Sequence, residues 1–414
     1  MNEGLGLFEG FGVELEYMLV DRESLAVMPI TDQILHSVCG AYESEVEVGP
    51  LAWSNELVLH VIEIKTNGPA PTLDGLAGLF QEHVGRINHI AAGLGARLMP
   101  TAMHPWMDPH TETRLWPHEF SPVYEAFDRV FGCQGHGWSN LQSTHLNLPF
   151  ADDEEFGPLH AAIRLVLPIL PGLAAASPVH DGRDAGLADA RLEAYRHNAR
   201  RVPSVSGLVI PEPVFTKRDY EALLQGLYRD MAPVDPGKVL QHEWLNARGA
   251  IARFDRNTIE IRLLDIQECP QADLAVLGLV VATLKALVAE RWSGFAEQCR
   301  WPADRLAAIL HDAIRDGDGA VIEDSDYLRA LGFPAAARCT IAALWRHLYG
   351  QAMAHDDALA AHEAALAVIL NEGCLSRRIR AALSGDVSRD RLTSVYRRLC
   401  DCLHSGAMFR VGAD

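Results

Sequence analysis

The chain has 414 residues, with 36 Lys+Arg against 55 Asp+Glu, a formal net charge of −19 and a pI near 5.4. With 49% apolar and 22% charged residues it has the composition of a globular protein, which excludes general disorder. The excess of acid argues against nucleic acid as the main partner, because phosphate backbones are bound by clustered Lys and Arg.

The segment Met1–Gly10 carries acidic residues and no Lys or Arg, unlike a signal or transit peptide. Eight cysteines are scattered without a C-x-x-C pair, which fits reduced thiols and a cytoplasmic location. The longest apolar stretch, Leu274–Val288, is interrupted by Thr283 and Lys285 and falls short of the ~20 apolar residues of a membrane span. No membrane partner is therefore expected.

Along the chain, Val13–Val20 reads as the first strand. Side chains alternate across a strand, so Glu14 and Glu16 share one face while Val13, Leu15 and Tyr17 cover the other. Such a pair is either a solvated strand face or half of a divalent metal site. Leu57–Ile64 reads as the second strand, where Val61, Ile62 and Ile64 enclose Glu63, an unlikely setting for an unpartnered carboxylate. Either Glu63 pairs with Lys or Arg across the sheet, or it binds a metal. Glu56 lies seven residues earlier and would face the opposite way in an unbroken strand. It joins the same site only from a loop or across a bulge.

Apolar residues from Leu73 to Leu94 then recur at helical spacing. A long ordered loop with five prolines follows over Pro100–Pro122, and a strand at Ser143–Leu148 sets Ser143, His145 and Asn147 on one face. The helix predicted from Glu154 to Ala176 must bend or end at Pro168 and Pro171. A second long loop occupies Ser177–Pro213. Thr258–Leu264 is the fourth strand, with Glu260 and Arg262 on one face above Ile259, Ile261 and Leu263; alone, it is most simply an ion-pair surface. From Asp273 onward the pattern is helical only. This predicts a catalytic body over residues 1–295 and a helical C-terminal region over 296–414.

Taken together, the four strands describe an α+β protein whose sheet has one acid-lined face and one apolar face. Five Glu and one His form a hard, oxygen-rich donor set suited to Mg²⁺ or Mn²⁺. Divalent ions beside an Arg are what phosphoryl transfer from ATP requires. A P-loop and a kinase glycine-rich loop are both absent, so ATP would be held through metals.

Five segments in order then resemble glutamate–cysteine ligase family 2, the carboxylate–amine ligases. These are Phe11–Asp21, Glu56 with Glu63–Asn67, Ser143–Asn147, Ala176–Gly186 and Thr258–Gln267; Met103–Pro105 is similar to a further loop motif. The resemblance implies a glutamine-synthetase-like fold, a curved antiparallel sheet backed by helices. It implies ATP-dependent activation of a carboxylate, such as the γ-carboxylate of glutamate, as an acyl phosphate that an amine attacks. By the same resemblance Glu14, Glu16, Glu56, Glu63, His145 and Glu260 are the metal ligands. Glu260 and Arg262 are catalytic, Lys65, Asn147 and Arg262 contact ATP, and Arg183 and Arg191 bind a substrate carboxylate. Partners would be small carboxylates and amines, amino acids among them, and a homo-oligomer is compatible with all of this. The sequence departs from the family in lacking a His-x-His in the third strand. The alternatives are a guanidino kinase or a non-catalytic ATP-binding relative of the same fold.

Overall fold

The computed structural model describes residues 4–334, 338–355 and 357–412. Its centre is an eight-stranded antiparallel sheet. In chain order the strands are β1 (Gly12–Asp21), β2 (Glu45–Val48), β3 (Leu51–Asn55), β4 (Val61–Thr66), β5 (Ala96–Met99) and β6 (Ser143–Pro149). After the small hairpin β7 (Val179–His180) and β8 (Arg183–Asp184) come β9 (Ala250–Arg253) and β10 (Thr258–Asp265). Across the sheet the order is β2-β3-β4-β1-β6-β10-β9, with β5 also paired to β1. The four strands expected from alternation are thus the four central ones.

Period-two alternation makes the sheet two-faced. Val13, Leu15, Tyr17, Ile62, Ile64, Leu146, Leu148, Ile259 and Ile261 are at most 1% exposed and belong to one apolar core. The helices Leu76–Gly93, Asp153–Val166 and Pro270–Val288 pack behind them. Asp152 caps the second of these by accepting from the amides of Glu154 and Glu155, and the acidic first turn suits the helix dipole. As the prolines require, this helix gives way to a 3₁₀ turn at Leu167–Ile169 and a separate turn at Pro171–Ala174. Pro270–Val288 has 19 residues and a mean hydropathy of 1.7, long and apolar enough to cross a membrane. Here 83% of it is buried inside the protein.

The core does not end at residue 295. Trp301, Leu306, Leu310, Tyr327, Trp345, Leu366 and Leu370 belong to the same apolar cluster as the sheet. A second cluster joins Met18, Val20 and Met99 to Leu375, Ile379, Val395 and Leu399. The C-terminal helices are therefore packed against the body, while all the candidate acidic residues precede residue 295.

One buried ion pair ties the last helices to the end of β10. Arg378 is bonded to Glu268, and both side chains are at most 1% exposed. Arg378 also donates to the carbonyl of Phe409 (2.7 Å), and the Phe409 amide donates to Glu268 (3.2 Å). Removing one member leaves the other charge buried and uncompensated, so Arg378→Ala should cost about 3–5 kcal/mol in urea denaturation. A loss below about 1 kcal/mol, the range of an exposed pair, would contradict this reading.

Candidate functional site

The polar face of the sheet is built by register. Glu16 stands opposite Glu63, and Glu14 stands opposite Lys65 on one side and His145 on the other. Glu63 is also across from Ser54, and Glu260 from Asn147. Glu56 sits just beyond the end of β3, in the connection to β4, so the parity conflict in the sequence is resolved by a loop. Gly12 faces Asn147, where a Cβ would approach the Asn147 Cβ to 2.9 Å; glycine allows the amide to lie across it.

These side chains are bonded to one another. His145 Nδ1 lies 2.8 Å from Glu14, and Asn147 donates to the other Glu14 oxygen at 2.9 Å. Glu16 accepts from the amide and hydroxyl of Ser143 at 2.7 and 2.9 Å. Glu63 accepts from Ser54 at 2.5 Å and pairs with Lys65 at 3.1 Å; Lys65 reaches on to Glu45 at 2.7 Å. Glu63 thus joins the acidic cluster and also has a basic partner, but that partner is Lys65 of its own strand, two residues on, rather than a base across the sheet.

Donor atoms of Glu14, Glu63 and His145 lie within 4.8 Å of one another, and so do those of Glu16, Glu56 and Glu63. Two overlapping groups therefore share Glu63. Burial pushes the Glu63 carboxyl up, and Glu14 and Glu16 add to this against Lys65 and Ser54, reaching about 7. Burial, then Glu16 and Glu63, drives Glu56 well above the usual range. Burial acts in the same sense on Glu14, but the hydrogen bond and charge of His145, with Lys65, hold it down to about 2. Burial disfavours the His145 imidazolium, yet Glu14, Glu16 and Glu260 outweigh it and raise His145 to about 9. Within the two groups four carboxylates, Glu14, Glu16, Glu56 and Glu63, share two cationic neighbours, His145 and Lys65. An oxygen-rich set of this kind fits Mg²⁺ or Mn²⁺, and Glu14, Glu16, Glu56, Glu63 and His145 are the residues that would hold them.

Glu260, expected among the ligands, is placed differently. It is bonded to Arg262, whose Nε lies 3.0 Å away, and to Arg253 at 3.4 Å, and it lies in neither metal group. The adjacent carboxylate outweighs burial and keeps the Arg262 guanidinium firmly charged. Arg183 lies exposed on β8, outside the cavities described below. Arg191 is 2% exposed and bonded to Asp265 and to two backbone carbonyls. A further group, His136, His180 and Asp181, has metal-like spacing. There Asn140, held by both backbone groups of His104, donates to His136 Nδ1 (3.0 Å). That leaves Nε2 protonated to donate to Asp181 (2.9 Å) rather than free for a metal.

Two cavities adjoin on this face. One of about 380 Å³ is lined by the carboxylates, His145, Arg253 and Arg262 and by the aromatic residues Tyr124, Phe127, Trp138 and Trp244. The other, of about 370 Å³, is lined by Gly10, Gly12, Thr66–Pro69, Asn147, Pro149 and Arg256–Thr258. Glu14, Lys65 and Arg256 line both. Sequence reasoning missed Arg253 and the four aromatic residues. The aromatics come from helices and loops without a motif. Arg253 was accessible, since the turn at residues 254–257 between β9 and β10 places it across from Thr258, diagonal to Glu260.

Comparison with known proteins gives the chain a family and a fold. Residues 10–398 match the model of glutamate-cysteine ligase family 2. The chain belongs to that family. It is accordingly an ATP-dependent carbon–nitrogen ligase of the glutamate–cysteine ligase type. It is 34% identical over 306 residues to an uncharacterized protein of Archaeoglobus fulgidus, covering 74% of this chain and 80% of the relative. It is 29% identical over 321 residues to a protein of Salinispora arenicola provisionally named glutamate–cysteine ligase 2, covering 75% of each. In fold it resembles the glutamate–cysteine ligase of Francisella tularensis, solved in complex with AMP. That match has a TM-score of 0.60 at 12% identity and covers 95% of this chain and 89% of the other. The bifunctional glutathione synthetase of Pasteurella multocida gives the same TM-score at 13% identity over 95% and 52% of the two chains. The antiparallel sheet backed by helices expected from the sequence is present, and the chain shares its fold with these proteins.

Because Glu63 belongs to both groups, Glu63→Gln should weaken Mn²⁺ binding at least about tenfold. Glu260→Gln, outside both groups, should leave Mn²⁺ binding near that of the wild type. A cation must displace the proton held by His145 near 9, so Mn²⁺ affinity should rise as pH climbs from about 6 to about 9. Titration followed by electron paramagnetic resonance checks both points. A flat pH profile, or a larger loss in Glu260→Gln, would contradict the assignment.

Proposed function

We propose that the enzyme joins a carboxylate, the γ-carboxylate of glutamate or of a related amino acid, to an amine through an acyl phosphate. The observation that carries this reading is the pair of adjoining cavities with Glu14, Lys65 and Arg256 on their common border. The cavity lined by Gly10, Gly12, Asn147 and Arg256–Thr258 takes ATP, with Lys65 and Arg256 at its border to meet the phosphates, and the acid- and aromatic-lined cavity takes the carboxylate and the amine. Bound Mg²⁺ or Mn²⁺ would supply charge neutralisation for the phosphates.

The carboxylate oxygen attacks the γ-phosphorus and ADP leaves. The amine nitrogen then attacks the acyl carbon, phosphate leaves, and the nitrogen's proton passes to solvent. Arg262 faces this cavity and offers a fixed cation to the phosphoryl group in flight. Glu260 holds that guanidinium in place through the bond to its Nε. Lys65, held between Glu63 and Glu45, offers a second cation at the border.

The test is to incubate the protein with Mg²⁺, ATP and a pool of amino acids and amines, following phosphorus species by ³¹P NMR and products by mass spectrometry. ADP, free phosphate and a condensed amide are expected. A phosphorylated product without free phosphate would instead mean a guanidino kinase. ATP binding without turnover across a wide pool would mean a non-catalytic relative. Arg262→Ala should lower kcat by about 10²–10³-fold in protein that circular dichroism shows to be folded; unchanged kcat would remove Arg262 from the reaction.

A further inference from the structure

The strand that carries Arg262 is interrupted just where that residue stands. In the β6–β10 ladder Ile261 pairs with Leu146 and Leu264 with Thr144, so Arg262 and Leu263 together oppose the single residue His145. This is a β-bulge, a device that re-aims a side chain and takes its backbone out of the regular ladder. The bulge also lets Leu263 and Leu264 both enter the apolar core, each 1% exposed. The Arg262 amide is taken up by the Gly249 carbonyl at 3.0 Å. Gly249 has to be glycine for the chains to come this close, because a Cβ there would lie 2.5 Å from Leu263 Cγ.

The two carbonyls of the bulge are claimed by a single side chain. Arg191 donates to the Arg262 carbonyl at 3.0 Å and to the Leu263 carbonyl at 3.2 Å. It is itself anchored on Asp265 at 3.3 Å. Asp265 in turn accepts from the Ala176 amide and the Ser177 hydroxyl at 2.8 and 2.9 Å. The network therefore runs from the loop at Ala176–Ser177 through Asp265 and Arg191 to the backbone of Arg262. Buried carbonyls without partners are costly, so losing the Arg191 guanidinium would free the bulge to shift.

We propose that Arg191 is a positioning residue for Arg262: by filling the β10 bulge it fixes the direction from which Arg262 addresses the transferring phosphoryl group. This rests on the phosphoryl-transfer reading above. It replaces the expected direct contact of Arg191 with a substrate carboxylate. The competing role has its own signature, because Arg191 also lines the larger cavity.

The test uses the full-length enzyme with Mg²⁺, ATP and the substrate pair found by the screen above. If that screen yields no turnover, the ligase reading fails first, and the two failures are told apart. Arg191→Ala should lower kcat by about 10²-fold, the cost of misplacing a catalytic group by an ångström, while KM for the carboxylate stays nearly constant. Arg191→Lys, which can reach one carbonyl but not both, should recover part of that loss. In an Arg262→Ala background, Arg191→Ala should lower kcat no further, since residues acting as a unit are non-additive. If Arg191→Ala does not fold, Arg191→Lys and Asp265→Asn carry the same comparison in both backgrounds. A selective rise in carboxylate KM at constant kcat, or losses that multiply in the double variant, would overturn the proposal.

Discussion

The architecture is organised around the problem of holding several carboxylates on one face of one sheet. Two like charges 4 Å apart repel by about 4 kcal/mol even at an effective dielectric of 20, and here the groups are also largely out of water. The central strands meet this by pairing each acid with a specific neighbour: Glu14 with His145, Glu16 with Ser143, Glu63 with Lys65 and Ser54, and Glu260 with Arg262. Glu56 and Glu63 stay pushed toward the neutral form all the same. That residual strain among acids is the property a divalent cation relieves, and it links the fold to ATP chemistry.

The opposite face pays for this arrangement. Alternation sends one aliphatic side chain into the core for nearly every polar one raised above the sheet, and the Pro270–Val288 helix seals that core. The C-terminal helices extend the same cluster, and the Glu268–Arg378 pair fastens them at the foot of β10. The strand carrying Glu260 and Arg262 is thus held at its end by Glu268 and at its bulge by Arg191. Rigid support of this kind suits a guanidinium that must point at one place.

Most of the acidic face was legible because strands with a single buried face write their pattern at period two. Glu14 with Glu16, His145 with Asn147, and Glu260 with Arg262 all fell on the expected sides. Even the conflict between Glu56 and Glu63 was informative, since it required a loop or a bulge, and the loop is what is found. The hairpin of β2 and β3 was not anticipated. Every residue of Leu51–Asn55 is buried, so no alternation marks it, and Glu45–Val48 has only four residues. The roles of Arg183 and Arg191 were assigned by resemblance alone. Whether a guanidinium faces a substrate or two carbonyls is set by a bulge, and the Leu263-Leu264 doublet was its only trace in the sequence.

The central claim is that the sheet face holds divalent cations in two groups meeting at Glu63, beside a nucleotide. The most direct measurement is a crystal structure with Mn²⁺ and the non-hydrolysable analogue AMPPNP, with the cations located by their anomalous scattering. The account predicts Mn²⁺ peaks ligated by Glu14, Glu63 and His145 and by Glu16, Glu56 and Glu63, next to the analogue's phosphates. Phosphates bound without a cation on Glu63, or Mn²⁺ found instead at His136, His180 and Asp181, would contradict it.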